Sequence, residues 1–310
     1  MRVLLVVNSS ASSVTARREV LVQKIFAADH DLDVAVTNRR GHATNLALDA
    51  ARSGCEVVVV LGGDGTLNEV ANGLVGTDCA IAALPGGSTN VFARAIGLPD
   101  EPTDAALAVS EALLHKQIER VGVGSVNGRV FLFHVGVGWD AALVEEVERH
   151  SDLKRYAGHA LFVYAGVKTF FRTYDRTRPH FRIVHADGSV VEDAYFAVCL
   201  NLNPYTFVGN RPFNLSTEAT LDRGLANVGI TSMRTGPFLR LLGSALGTGQ
   251  KLREAPTVDY RADLSAIRFE GYGPVPYQVD GDHLGDIEVL EITHRPDALS
   301  LVVPPSGRFG

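Results

Sequence analysis

The chain has 310 residues, 46% of them apolar and 21% charged, with a formal net charge of −6. This composition can bury a sizeable core and excludes a disordered chain, and the length points to two domains. The acidic balance argues against a basic nucleic-acid binder, and no apolar run approaches the roughly 18 residues of a membrane span.

In chain order, residues 3–7 form a short, continuous apolar run, as expected of a strand buried on both faces. A helical stretch follows at 14–28, a strand at 32–37, a helix at 42–52 and a strongly β-branched strand at 57–61. The next helix, 67–75, sets Leu67, Val70, Ala71, Leu74 and Val75 on one face, and 79–84 reads as another strand. A helix at 103–115 ends the alternation. The pattern predicts a parallel, doubly wound α/β domain over 1–117, with ligands held beyond the carboxyl ends of its strands.

From 118 the pattern changes. Stretches 118–126 and 129–137 read as strands joined at Asn127-Gly128, a strong hairpin signal. Helices are expected at 141–149 and 159–173; beyond 181 strands dominate, with another turn at Asp187-Gly188. Residues 118–295 therefore read as a second, mainly β domain, and 296–310 is a candidate completion of the first. Cys55, Cys79 and Cys199 are far apart in sequence and lack metal-ligand spacing, so they read as buried free thiols. Residues 3–7 are too short for the core of a secretion signal.

The strongest chemical signal is Gly62-Gly63-Asp64-Gly65-Thr66-Leu67-Asn68-Glu69, which follows a buried strand and opens a helix. Glycines there relieve the backbone and allow close approach, while the amides and dipole of a helix N-terminus favour phosphate. Asp64 among such amides would repel an anion unless a cation lies between, so it points to Mg²⁺ carried by a nucleotide. Thr66 and Glu69 have capping-box spacing. A second loop, Pro85-Gly86-Gly87-Ser88-Thr89-Asn90, has the same design, with Ser88, Thr89 and Asn90 offering polar contacts and N-cap chemistry. Asn8-Ser9-Ser10-Ala11-Ser12, after the first strand, is a third polar loop at the same sheet edge. Late in the chain, Val279-Asp280-Gly281-Asp282 reads as a strand entering a turn.

These motifs, with Gly136-Val137-Gly138-Trp139-Asp140-Ala141, resemble the diacylglycerol kinase catalytic-domain family, which includes bacterial lipid kinases and sphingosine kinases. The resemblance implies a nucleotide-binding α/β domain, a β-rich lipid-substrate domain and an active site between them. It implies transfer of the γ-phosphate of ATP, with Mg²⁺, to a hydroxyl of diacylglycerol or a related lipid. It assigns Asn8, Ser9, Ser10, Ala11, Ser12, Thr37, Gly62, Gly63, Asp64, Gly65, Thr66, Leu67, Asn68 and Thr89 to ATP, and Asp280 to the general base. Glu69, Ser88, Asn90 and Asp282 are further candidates. Where the family often has Asp-Asp-Gly binding a structural Mg²⁺, this chain has Asp222-Arg223-Gly224; a guanidinium cannot ligate a cation, so no protein-bound metal is expected.

The expected location is the cytoplasm, peripheral at the inner membrane surface. Between Arg149 and Arg182 the chain carries eight Lys/Arg against two acidic residues, with many aromatics, a composition suited to docking on anionic lipid. Competing readings are an NAD kinase, which shares the first glycine loop, and a catalytically silent nucleotide-binding regulator.

Overall fold

The computed structural model describes residues 1–149, 166 and 168–304. It divides into two units, Met1–Val123 with the end of the chain from Pro296, and Gly124–Arg295.

The first unit alternates β1 (Arg2–Val7), α1 (Ala16–Asp29), β2 (Asp31–Val36), α2 (His42–Arg52), β3 (Val57–Gly62), α3 (Asp64–Leu74), β4 (Ala80–Pro85), α4 (Val91–Ala95) and α5 (Pro102–Leu114). Its strands pair in parallel in the order β2-β1-β3-β4. The end of β16 (Asp282–Val302) adds beside β4 through Leu301 and Ile81. Every residue of β3 and β4 is buried, which is why these strands read as unbroken apolar runs. Edge strand β2 has only exposed and half-buried positions. Helices α2 and α3 pack so closely that a Cβ on Gly73 would collide with the Thr44 carbonyl and stand 2.8 Å from the Ala47 Cβ. The chain moves outward from β1 to β2 and then crosses to β3 on the other side. The switch point of the fold therefore lies between the carboxyl ends of β1 and β3.

The second unit is a mainly antiparallel sheet in the order β14-β13-β10-β7-β15-β16. Its spine is β7 (His134–Gly138), β10 (Phe196–Leu200), β13 (Leu225–Ile230), β14 (Val258–Leu264) and β15 (Ala266–Val279). Strands β5 (Ile118–Val126) and β6 (Arg129–Phe131) turn at Asn127 and Gly128, both at positive φ (49° and 79°), as the dipeptide predicts. Strands β8 (Phe181–His185) and β9 (Val190–Ala194) form a hairpin around Asp187-Gly188, and β11 (Thr206–Val208) pairs with β12 (Arg211–Phe213). Helix α6 (Trp139–Glu148) starts two residues before the expected 141.

Two features of this unit differ from expectation. The continuous strand at 129–137 is broken into β6 and β7, because the amides of residues 132–134 serve a side chain instead. The helix expected at 159–173 falls largely outside the described residues; its described residues, 166 and 168–173, are helical and end in a single π-helical turn, Thr169–Thr173. Two helices went unread: α7 (Thr235–Ala245) and α8 (Gln250–Arg253).

Phe238 of α7 stacks on Phe170 at 4.8 Å and meets Trp139 edge-on at 5.5 Å. Phe170 and Phe181 are buried, and Tyr174 donates its hydroxyl proton to the Tyr195 carbonyl. These aromatics of the basic stretch 149–182 are core, not lipid-facing; residues 150–165 of that stretch lie outside the described residues. The three cysteines are free thiols, Cys79 and Cys199 buried and Cys55 half-buried.

Candidate functional site

Three loops meet at the carboxyl edge of the first unit's sheet. Asn8 closes β1: its amide donates to the Leu61 carbonyl (2.9 Å), and its Oδ1 accepts from the Ser10 amide (3.1 Å). Its Nδ2 donates to Thr66 Oγ1 at 2.9 Å, joining the first loop to the first turn of α3. Ser9, Ser10 and Ser12 are exposed, Ala11 is half-buried, and Thr37 donates its amide to the Val7 carbonyl at 2.8 Å.

Ser13, which the sequence reading passed over, ties the loop after β1 to the loop after β4. Its amide donates to the Gly86 carbonyl (2.9 Å) and its hydroxyl to the Gly87 carbonyl (3.0 Å). No signal marked it beyond its place in a polar run.

The expected relief of the backbone is not a matter of left-handed conformation: none of Gly62, Gly63, Gly65, Gly86 or Gly87 has positive φ. Gly86 and Gly87 permit contact between loops. The Gly86 amide donates to the Gly62 carbonyl at 2.8 Å, and a Cβ on Gly86 would stand 2.7 Å from the Gly62 nitrogen. A Cβ on Gly87 would stand 2.9 Å from the Gly63 Cα. Gly63 is the exception: its backbone is extended (φ −86°, ψ 177°), and a Cβ there would meet nothing nearer than 3.5 Å. Nothing in the protein itself requires Gly63 to lack a side chain.

Helix α3 begins at Asp64, three residues before the expected 67, with Gly63 as an N-cap that supplies no side chain. This overturns the capping box. Thr66 lies inside the first turn, and Glu69 reaches away to accept from the amides of Gly41 (2.8 Å) and Ala43 (3.2 Å), capping α2, whose own N-cap is also a glycine. Asn90 likewise does not cap α4 with its side chain. Its amide group closes the loop on itself, with Oδ1 accepting from the Gly87 amide (2.7 Å) and Nδ2 donating to the Gly87 carbonyl (3.0 Å). The cap of α4 comes from Asp64, whose two oxygens accept from the amides of Val91 (2.9 Å) and Phe92 (3.1 Å).

One carboxylate thus stands in the first turn of α3 and at the amino end of α4, where helix dipoles favour negative charge. A small recess lined by Gly62, Gly63, Asp64, Leu67, Pro85 and Asn90 marks the centre of the cluster. Ser88 is exposed on its rim and Thr89 half-buried, while Asn68 is buried in α3.

In the second unit, Asp280 and Gly281 (φ 48° and 81°) form the two-residue turn joining β15 to β16. The Asp280 side chain is buried, and its carboxylate accepts three amides: Leu132 on Oδ2 (2.7 Å), Phe133 and His134 on Oδ1 (3.0 and 3.1 Å). Asp282 is ion-paired with Arg129 at 2.9 Å.

A polar layer supports this turn. Gln278 donates to Asp140 Oδ2 (2.7 Å) and accepts from the Gly281 amide (2.8 Å), and Tyr205 donates to Asp140 Oδ1 (2.5 Å). A Cβ on Gly136 would overlap the Asp140 carboxylate, which explains the glycine in that motif. Burial pushes the Asp140 carboxyl up, against the pull of its two donors. Arg223, in place of an aspartate, faces Glu218 at 3.9 Å, and among the described residues no three His, Cys, Asp or Glu gather as a cation would need.

Burial pushes the His134 imidazole down from 6.5 to about 3. The unfolded chain then takes up a proton below about 6.5 that the folded chain refuses until about 3. The stability it contributes is complete above 6.5 and is lost as pH falls, by about 1.4 kcal/mol per unit in that window. Between pH 7 and pH 5 the wild-type chain should lose about 2 kcal/mol more than His134→Asn, read from urea unfolding. Equal losses would mean that His134 is not held neutral.

Comparison with known proteins bears on this geometry. Residues 2–126 match the family described as the diacylglycerol kinase catalytic domain. A probable lipid kinase, YegS-like, from Pseudomonas aeruginosa (strain UCBPP-PA14) is 28% identical over 98% of this chain and 94% of its own. The diacylglycerol kinase of Bacillus subtilis (strain 168) is 32% identical over 48% of each chain. The crystal structure of a diacylglycerol kinase from Bacillus anthracis str. Sterne superposes with a TM-score of 0.71, covering 99% of this chain and 98% of that one; at 22% identity this is a likeness of fold.

Proposed function

We propose that this chain, which belongs through residues 2–126 to the diacylglycerol kinase catalytic domain family, transfers the γ-phosphate of ATP to a hydroxyl of diacylglycerol or a related lipid. The observation that carries the reading is the meeting of three loops at the switch point of the parallel sheet, beside the amino end of α3. Backbone amides in such a place attract phosphate.

In this reading Asn8, Ser9, Ser10, Ala11, Ser12 and Thr37 flank the nucleotide, Gly62 to Asn68 cradle its phosphates, and Thr89 approaches from the second loop. The residues fit Mg²⁺–ATP: one carboxylate, Asp64, stands among amides, and Mg²⁺ in kinase sites is commonly held by one or two carboxylates plus phosphate oxygens. Bound Mg²⁺–ATP supplies the phosphoryl group with part of its charge neutralised. Asp280 is the proposed acceptor of the lipid hydroxyl's proton; the amides of Leu132, Phe133 and His134 hold its carboxylate and fix its orientation. The substrate is met at a membrane surface, and no described helix is long and apolar enough to cross one.

The test is a panel of lipids presented in mixed micelles with labelled ATP, and NAD as a separate acceptor. Phosphorylated diacylglycerol or a related lipid is the expected product. NADP without lipid product would overturn the proposal.

The loop glycines give a sharper check. Gly63→Ala meets only ordinary contacts within the protein, so its melting temperature should stay within a degree or two of wild type while ATP binding weakens tenfold or more. Gly86→Ala must push two backbones apart and should lower both. Unchanged ATP binding in Gly63→Ala would remove the phosphate from that loop.

A further inference from the structure

Helix α7 buries Phe238, Leu241 and Ala245 against the aromatic core of the second unit. Its outer stripe is unusual. Exposed positions from 234 to 247 are Arg234, Gly236, Pro237, Leu239, Arg240, Gly243, Leu246 and Gly247. Leu239 and Leu246 are 55% and 47% exposed, among the most exposed large apolar side chains of the chain. No carboxylate and no uncharged polar side chain other than glycine's absent one lies on that stripe. A helix facing only water ordinarily places Glu, Lys or Gln there.

The surrounding charge has one sign. Described residues 168–178 and 234–254 carry Lys168, Arg172, Arg176, Arg178, Arg234, Arg240, Lys251 and Arg253 against Asp175 and Glu254, in a chain whose net charge is −6. Both acids are engaged: Asp175 with Thr177 and Arg178, and Glu254 with the Gln250 amide group. Lys168 is paired with Glu146, but Arg176 is fastened beside the start of α7. Its guanidinium lies 4.2 Å over the Phe170 ring and donates to Thr235 Oγ1 at 3.3 Å.

We infer that α7 is the surface by which the protein docks on an anionic bilayer. The helix lies flat in the headgroup layer. Leu239 and Leu246, two turns and about 10 Å apart on one face, enter the acyl boundary while the flanking cations meet lipid phosphates. This inference rests on the lipid-kinase reading, which requires access to a membrane, and moves the contact away from Phe170, Tyr174 and Phe181, which are spent on the core.

The test uses the whole chain, with sedimentation on vesicles of phosphatidylglycerol and phosphatidylcholine beside vesicles of phosphatidylcholine alone. Turnover on a water-dispersed short-chain diacylglycerol is measured in parallel. Wild type should bind the anionic vesicles, less so at high salt. The double variant Leu239→Glu/Leu246→Glu should lose at least tenfold in binding. Arg240→Gln should lose about fivefold, the effect of one cation near such a surface. Both should keep wild-type circular dichroism and short-chain turnover. Vesicle binding equal to wild type in the double variant would overturn the inference. So would a wild-type chain that ignores anionic vesicles, or short-chain turnover that falls in step with binding. If wild type phosphorylates no lipid yet the variants still lose vesicle binding, the docking surface stands and the lipid-kinase reading falls.

Discussion

Asp64→Asn is expected to lower turnover on the order of a thousandfold and to destabilise the first unit as well. The two effects have separate causes. The carboxylate accepts the amides of Val91 and Phe92, one on each oxygen. Asparagine keeps one acceptor and turns an NH₂ group toward the other amide, which leaves a donor unmet at a cost of about 1–3 kcal/mol. It also removes a negative charge from the amino ends of two helices. The loss of rate belongs to the proposed link with Mg²⁺–ATP. Titrating Mg²⁺ at saturating ATP, below the variant's melting temperature, separates the two. A rate per folded molecule close to wild type would mean that Asp64 is a helix cap and nothing more.

Asp280→Asn should cost a hundredfold or more in kcat while leaving the dissociation constant of Mg²⁺–ATP nearly unchanged. The backbone tolerates the change, since asparagine adopts the φ of +48° found here about as readily as aspartate. The side chain does not. Three amides point at the carboxylate, and an NH₂ group must face at least one of them inside a buried site, again at about 1–3 kcal/mol. The melting temperature should therefore fall too, so kcat is measured on the folded fraction. Retained lipid binding with lost transfer supports the base. Transfer at close to the normal rate would leave Asp280 as the anchor of a turn, holding residues 132–134 in place.

Much of the first unit was legible because strands β3 and β4 are buried on both faces and alternate with helices. The runs at 57–61 and 79–84 admit few other readings. The three loops followed from the ends of those strands. What could not be read was the partner of each loop residue. A glycine chosen for positive φ and one chosen to let two backbones touch look alike in a sequence, and here the second reason holds for Gly86 and Gly87. Glu69 matched the spacing of a local cap but serves another helix, because α3 starts three residues earlier than its apolar face suggests.

The second unit was harder. The mostly apolar stretch Val130 to Val137 hides a break, since the amides it frees are claimed by Asp280, far along the chain. Helix α7 carried its signal in Phe238, Leu241, Leu242 and Ala245, but Gly236, Pro237 and Gly243 obscured it. The turn at Asp280-Gly281 was plain from its dipeptide; the burial of its side chain was not.

The pairing of Leu301 with Ile81 has a consequence for synthesis of the chain. Strand β4 is complete early, with β3 on one side, but its other neighbour, Leu301, follows it far along the chain and leaves the ribosome much later. Until then the strand that carries the second glycine loop presents an open apolar edge, the kind of edge that recruits other chains. The first unit is thus begun before the second and closed after it, and the nascent chain has to keep that edge covered while the second unit is being made.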